Sequence, residues 1–210
     1  MEIHSQKKEG AYGILSLYLD GSPWRDVHES IFGKKPKVPA SCSTKEELEE
    51  QFQRIELSLA KQYVLKRLAM KSFFTGELIS KLTECLISPQ TISMIIRECK
   101  HLGYLNDETW LEGFINTCKA RKLGPRAIAM KMKSKGVSQD LITHWIEKCV
   151  NPDEQQEAIL KLLATRYRNR DLSNYKEKSK VIAALLRKGY EFSTIQKVLE
   201  AYHPEDQCIW

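Results

Sequence analysis

No run of uncharged residues in this 210-residue chain is long enough to cross a bilayer as a helix. The longest extends only from Cys85 to Ile96, well short of the roughly 18 residues such a span needs, so no membrane partner is expected. The first residues mix Glu2 and Glu9 with Lys7 and Lys8, which is not the order of a secretory leader. A cytoplasmic location follows. The six cysteines include no CxxC pair and no dense cluster, which argues against a disulfide scaffold or a zinc ribbon and for a reducing compartment. There is no glycine-rich phosphate loop; the ten glycines fall mostly at expected helix ends. The five histidines are scattered, and only Cys99 with His101 comes near ligand spacing. No metal and no other cofactor is therefore expected. No Ser, Cys or Asp stands in a recognisable nucleophile context, so an enzyme is not expected.

What the chain does have is positive charge, unevenly placed. Residues 1–58 carry 8 Lys+Arg against 10 Asp+Glu, whereas residues 59–210 carry 25 against 17. From Gly113 to Gln139 there is no acid, but there are Lys119, Arg121, Lys122, Arg126, Lys131, Lys133 and Lys135. Arg166, Arg168 and Arg170 extend the set. Single surface lysines do no more than aid solubility. A stretch this long without an acid points to a polyanion or an acidic protein surface as partner.

Helix signals repeat from residue 44 onward. Thr44 with Glu47 forms a capping box, and Leu57, Ala60, Val64, Leu65 and Leu68 continue an apolar stripe toward Met70. Ser88-Pro89, Asn106, Gly124-Pro125, Ser138 and Asn151-Pro152 start further helices, and Leu102-Gly103, Gly136 and Gly189 end them. About nine helices result, the last stopping before Pro204. Their apolar residues repeat. Leu78, Leu82, Ile87, Ile92 and Ile96 match Ile128, Met132, Val137, Ile142 and Ile146, and these match Val181, Leu185, Tyr190, Ile195 and Leu199. Copies two and three share Lys-Gly at the central turn, Lys135-Gly136 and Lys188-Gly189. A helix preceding each pair gives three helices per copy, and such units stack into an elongated, curved array. Trp110, Phe114 and Trp145 are spaced for helix cores rather than for base stacking.

Near the start, Leu15, Leu17 and Leu19 alternate with polar or aromatic residues, and Asp20-Gly21 reads as a turn. Trp24, Val27 and Ile31 lie in a second extended or mixed stretch. A small β-hairpin is expected, docked on the helices or on a partner because two strands alone are marginal. The expected organisation is an N-terminal extension at 1–43 with a linker from Gly33 to Ser43, helical repeats at 44–105, 106–150 and 151–203, and a tail at 204–210. The fold class is mainly α.

From about Leu59 to Tyr202 the chain resembles the RecX family of bacterial recombination regulators. The resemblance rests on Leu68-Ala69 with Lys71 and Thr75, Glu77-Leu78, Lys81-Leu82, and Gly103-Tyr104-Leu105-Asn106-Asp107. It continues through Gly124-Pro125-Arg126 with Ile128, Lys135-Gly136-Val137, and Lys180 leading to Arg187-Lys188-Gly189-Tyr190. Phe74 stands where the family often has a basic residue. Glu77, Leu78, Gly103, Tyr104, Leu105, Asp107, Gly124, Pro125, Gly136 and Gly189 are read as architectural, with Tyr104 and Leu105 filling the contact between copies one and two. The resemblance implies tandem three-helix repeats and a non-enzymatic regulator. Its implied partner is the RecA-type recombinase filament on single-stranded DNA, whose extension, ATP hydrolysis and strand exchange it would limit. Direct nucleic-acid contact and a monomeric state are part of the same expectation. Two readings stand beside it: a stand-alone nucleic-acid-binding module around Gly124 to Cys149, and a helical-repeat adaptor for an acidic protein.

Overall fold

The computed structural model of the protein describes residues 2–39 and 42–202, and the expected tail lies outside them. The chain forms two compact units, Met1–Asp107 and Glu108–Trp210.

The first unit opens with a three-stranded antiparallel sheet in the order β1 (Ile3–Lys7), β2 (Ile14–Leu19), β3 (Ser22–His28). The expected hairpin is β2–β3. Its two-residue loop has Asp20 at φ +48 and Gly21 at φ +81, the left-handed pair that matches strand twist. The hairpin expectation is short by one strand, because β1 reads Ile-His-Ser-Gln-Lys and offers water four exposed residues. Leu15, Leu17 and Val27 turn inward, and a one-turn helix α1 (Glu29–Phe32) follows. The sheet docks on α2 (Lys45–Met70). Trp24 packs edge-on against Phe52 at 5.1 Å and donates its indole N–H to Glu49 at 3.0 Å. Arg25 pairs with the same carboxylate at 2.8 Å and lies over the Phe52 ring.

Helix α2 is one continuous helix. Thr44 accepts from the Glu47 amide at 3.2 Å, while the Glu47 carboxylate accepts from the Ser43 amide, one residue earlier than a strict capping box. The buried row is Leu48, Phe52, Glu56, Ala60 and Val64, a run of i, i+4 neighbours. It corrects the expected stripe: Leu57 and Leu68 are half-buried at its border and Leu65 is exposed. Glu56 is the surprise in that row, 3% exposed. Its carboxylate accepts from the Ser88 hydroxyl at 2.5 Å and the Thr91 hydroxyl at 2.6 Å. These sit at the N-terminus of α4 (Pro89–His101), where a negative charge is favoured. Between them runs α3 (Thr75–Glu84), whose first amide, on Thr75, donates to Asp107 at 2.8 Å.

The second unit is α5 (Asp107–Ala120, entering from the first unit), α6 (Pro125–Lys133), α7 (Gln139–Cys149), α8 (Pro152–Thr165), α9 (Tyr175–Arg187) and α10 (Phe192–Ala201). Among the described residues, α2 to α10 are the nine long helices expected, with the short α1 added. Asn151 caps α8 through the Asp153 amide, whereas the Ser138 hydroxyl makes no such bond at α7.

The three-copy register is visible in both burial and backbone. Of its fifteen apolar positions all are buried except Ile146, which is half-buried. Leu82, Met132 and Leu185 are fully buried equivalents. The central turns close with one pattern. The amides of Ile87, Val137 and Tyr190 donate to the carbonyls of Leu82, Met132 and Leu185 at 3.1, 3.2 and 3.2 Å. The residue before each is left-handed: Gly136 at φ +80, Gly189 at φ +90, and in copy one Leu86 at φ +61.

Candidate functional site: a cationic cluster in the second unit

Helix α5 ends in a turn, and that turn gathers charge. Lys122 adopts φ +55, and the Leu123 amide donates back to the Cys118 carbonyl at 3.2 Å, so the chain reverses within two residues. Gly124 then enters α6 in contact with the α9–α10 turn. Its amide donates to the Lys188 carbonyl at 2.8 Å, and the Arg126 amide donates to the Gly189 carbonyl at 3.1 Å. A Cβ on Gly124 would lie 2.5 Å from Gly189 backbone atoms, and one on Gly189 would lie 2.2 Å from the Ala127 nitrogen. These two motif glycines are therefore required by backbone contact. Pro125 at the first helical position needs no amide partner.

That contact brings Lys188 onto the end of α5. Its ammonium reaches the carbonyls of Arg121 and Lys122 at 3.5 and 3.4 Å, a cation on the negative pole of a helix. Burial and the charge of Arg166, which follows the last turn of α8, hold the Lys188 ammonium below its ordinary pKa. Arg121, Lys122, Arg166 and Lys188 thus converge on one region. Arg121 and Arg166 are exposed and have no carboxylate partner among the described residues. Lys122 is half-buried and feels Glu157, whose pKa is lowered chiefly by its bond to Lys161. Beside the cluster a cavity of about 280 Å³ is lined by Lys119, Lys122 and Lys161 together with Glu154, Glu157 and Tyr190. Its lining carries both signs of charge.

The other expected cations divide. Lys119 is spent on architecture: it pairs with Glu154 and donates to the Cys149 carbonyl at 3.0 Å. Arg126 pairs with Glu191 at 3.3 Å, and Arg170 pairs with Glu177 at 2.6 Å. Lys135 is half-buried. Lys131 and Lys133 are exposed on α6, but two residues apart they cannot share a face, so the stretch is not a single stripe. Arg168 is exposed. Lys188 was not among the expected contact residues; its Lys-Gly turn was the one signal available.

Among the architectural residues, Leu78 and Leu105 are buried and Glu77 pairs with Lys71 at 3.5 Å. Asp107 accepts from Thr75 and pairs with Lys100 at 3.2 Å. Gly103, at φ +72, reverses the chain after α4. Tyr104 corrects the expectation of a filled contact: its side chain is 54% exposed, and its contribution is the amide that donates to the Cys99 carbonyl at 2.9 Å. Phe74, in place of a basic residue, is buried. Trp145 is buried, as expected of a core residue, whereas Trp110 and Phe114 are half-buried and stacked on each other at 4.8 Å. Among the described residues no group of three or more His, Cys, Asp or Glu side chains is placed to hold a metal ion, and no helix is long and apolar enough to cross a membrane.

Fold and site together define a tandem three-helix-repeat protein with a cation-rich face. Sequence models of the second and third three-helix domains of RecX match residues 106–144 and 153–199. The chain is 28% identical over 191 residues to the regulatory protein RecX of Lactobacillus johnsonii, covering 90% of this chain and 69% of that one. It is 30% identical over 135 residues to the Bacillus pumilus regulatory protein RecX, covering 62% of this chain and 51% of the relative. A crystal structure of regulatory protein RecX superposes with a TM-score of 0.61 at 20% identity, over 95% of this chain and 97% of the other. Across sequence and fold, the chain is similar to the RecX family.

Proposed function

We propose that this protein is a cytoplasmic, monomeric regulator that binds RecA-type recombinase filaments on single-stranded DNA and limits their extension, ATP hydrolysis and strand exchange without catalysing a reaction itself. Similarity to regulatory RecX proteins supports the target. The observation that carries the mode of binding is the convergence of Arg121, Lys122, Arg166 and Lys188 at the end of α5. Lys188 is held by backbone carbonyls, and Arg121, Lys122 and Arg166 form no ion pair among the described residues, so their charge is available to acidic side chains of the filament or to DNA phosphates. Binding through them displaces counterions and weakens as salt rises.

The test is filament binding by the wild type and by an Arg121→Ala, Lys122→Gly, Arg166→Ala variant at about 50 and about 200 mM salt. The variant is expected to bind at least about tenfold more weakly, with a shallower salt slope. Its thermal midpoint should be retained, because glycine suits the left-handed backbone at Lys122. Unchanged filament binding overturns the assignment of the cluster. Equal affinity for bare single-stranded DNA and for the filament moves the protein to a nucleic-acid-binding module.

A further inference from the structure

The first unit carries a second surface of different chemistry. Between α3 and α4 lies an open groove of about 590 Å³ with Ile79, Ile87, Ile92 and Ile96 along it and Arg97 at its edge. That volume is in the range of sites that hold a ligand or a short helix segment. Ile79 is 38% exposed at its rim, whereas Ile87, Ile92 and Ile96 are largely buried and line its base; apolar concavities of this kind are where ligand and partner sites concentrate. Arg97 is exposed and makes no ion pair among the described residues, while Lys100 beside it pairs with Asp107.

The repeat supplies the argument for specificity. In its register the position of Arg97 is held by Glu147 in copy two and Glu200 in copy three, so the charge is reversed. The position of Thr83 is Lys133 in copy two and Leu186 in copy three, and that of Pro89 is Phe192 in copy three. Copy one alone carries a cation at the Arg97 position, where the other two carry an acid. Since all three copies close the same turn with the same hydrogen bonds, the helix pair does not need Arg97 in order to fold.

We propose that this groove docks an amphipathic helical segment of a partner protein, apolar on the face it buries and carrying a carboxylate where it passes Arg97. The apolar floor supplies contact area, and Arg97 fixes the direction in which the segment lies. The groove contains none of the clustered cations of the second unit, so the proposal stands or falls independently of filament binding.

The probe is a labelled synthetic helical peptide of about sixteen residues with leucines at i, i+3, i+4 and i+7 and flanking glutamates, compared with a twin bearing lysines in their place. The full chain is titrated with each while the isoleucine methyl resonances are followed. The acidic peptide is expected to shift Ile79, Ile92 and Ile96 saturably and to bind at least about tenfold more tightly than its twin. Arg97→Glu is expected to reverse that preference with no loss of thermal stability, since Arg97 is exposed and unpaired. Equal binding of the two peptides, indifference to Arg97→Glu, or methyl shifts elsewhere overturns the proposal. Shifts at the same methyls on raising the protein concentration alone also overturn it, by assigning the groove to a second copy.

Discussion

Replacing Gly189 with alanine should be among the most damaging single-methyl additions in the second unit. The new Cβ would lie 2.2 Å from the Ala127 nitrogen and 2.5 Å from the Ala127 Cβ, so the α9–α10 turn and the start of α6 must separate by about 1 Å to reach ordinary contact. That movement weakens the Lys188–Gly124 and Gly189–Arg126 backbone bonds of 2.8 and 3.1 Å, each contributing about 0.5–1.5 kcal/mol. A side chain at φ +90 adds about 1–2 kcal/mol, and together these come to about 2–5 kcal/mol. Gly103→Ala is the internal control. Its φ is +72 but nothing lies within 4 Å of the added methyl, so it should cost only about 1 kcal/mol. Urea unfolding of both variants, followed by far-UV circular dichroism, measures the difference. Equal costs for the two substitutions would refute the claim that close backbone approach, rather than backbone conformation alone, requires glycine at 189.

Leu86→Gly should change stability by less than about 1 kcal/mol, because relief of the left-handed backbone offsets the lost burial of a side chain only 40% exposed; a loss of about 2 kcal/mol or more from urea midpoints would contradict this. Glu56→Ala should cost about 2–4 kcal/mol by leaving the buried Thr91 hydroxyl and the α4 cap without their acceptor, again read from urea midpoints. Tyr190 is buried, its hydroxyl has no hydrogen-bond partner, and burial pushes its pKa up to about 12. The unfolded chain ionises near 10, so stability is unaffected by this group below pH 10 and falls by roughly 3 kcal/mol as pH rises toward 12. Tyr190→Phe should be neutral or slightly stabilising at pH 7, and its unfolding midpoint should fall less steeply than the wild type's above pH 10. Parallel pH profiles would show that the hydroxyl is solvated in the fold.

Periodicity made the helical part legible because every copy buries the same offsets, and caps and glycines stand where the chain turns. What it hid was polar residues doing buried work. Strand β1 has almost no apolar content, and pairing with β2 is what makes it a strand. Glu56 occupies an apolar row because two hydroxyls of α4, more than thirty residues away, satisfy it. The cations were each visible in the sequence, but their sorting was not. Lys119, Arg126 and Arg170 are tied to Glu154, Glu191 and Glu177, partners that only the fold brings near. Lys188 reaches the α5 terminus because Gly124 and Gly189 let two backbones meet, a contact with no local signature.

The most direct measurement is single-stranded-DNA-dependent ATP hydrolysis by the cognate RecA-type recombinase as this protein is titrated from far below to equal stoichiometry. Inhibition at substoichiometric amounts, relieved in the Arg121→Ala, Lys122→Gly, Arg166→Ala variant, is the expected result. An unchanged hydrolysis rate at equal stoichiometry, with helical circular dichroism intact, would contradict regulation of the filament.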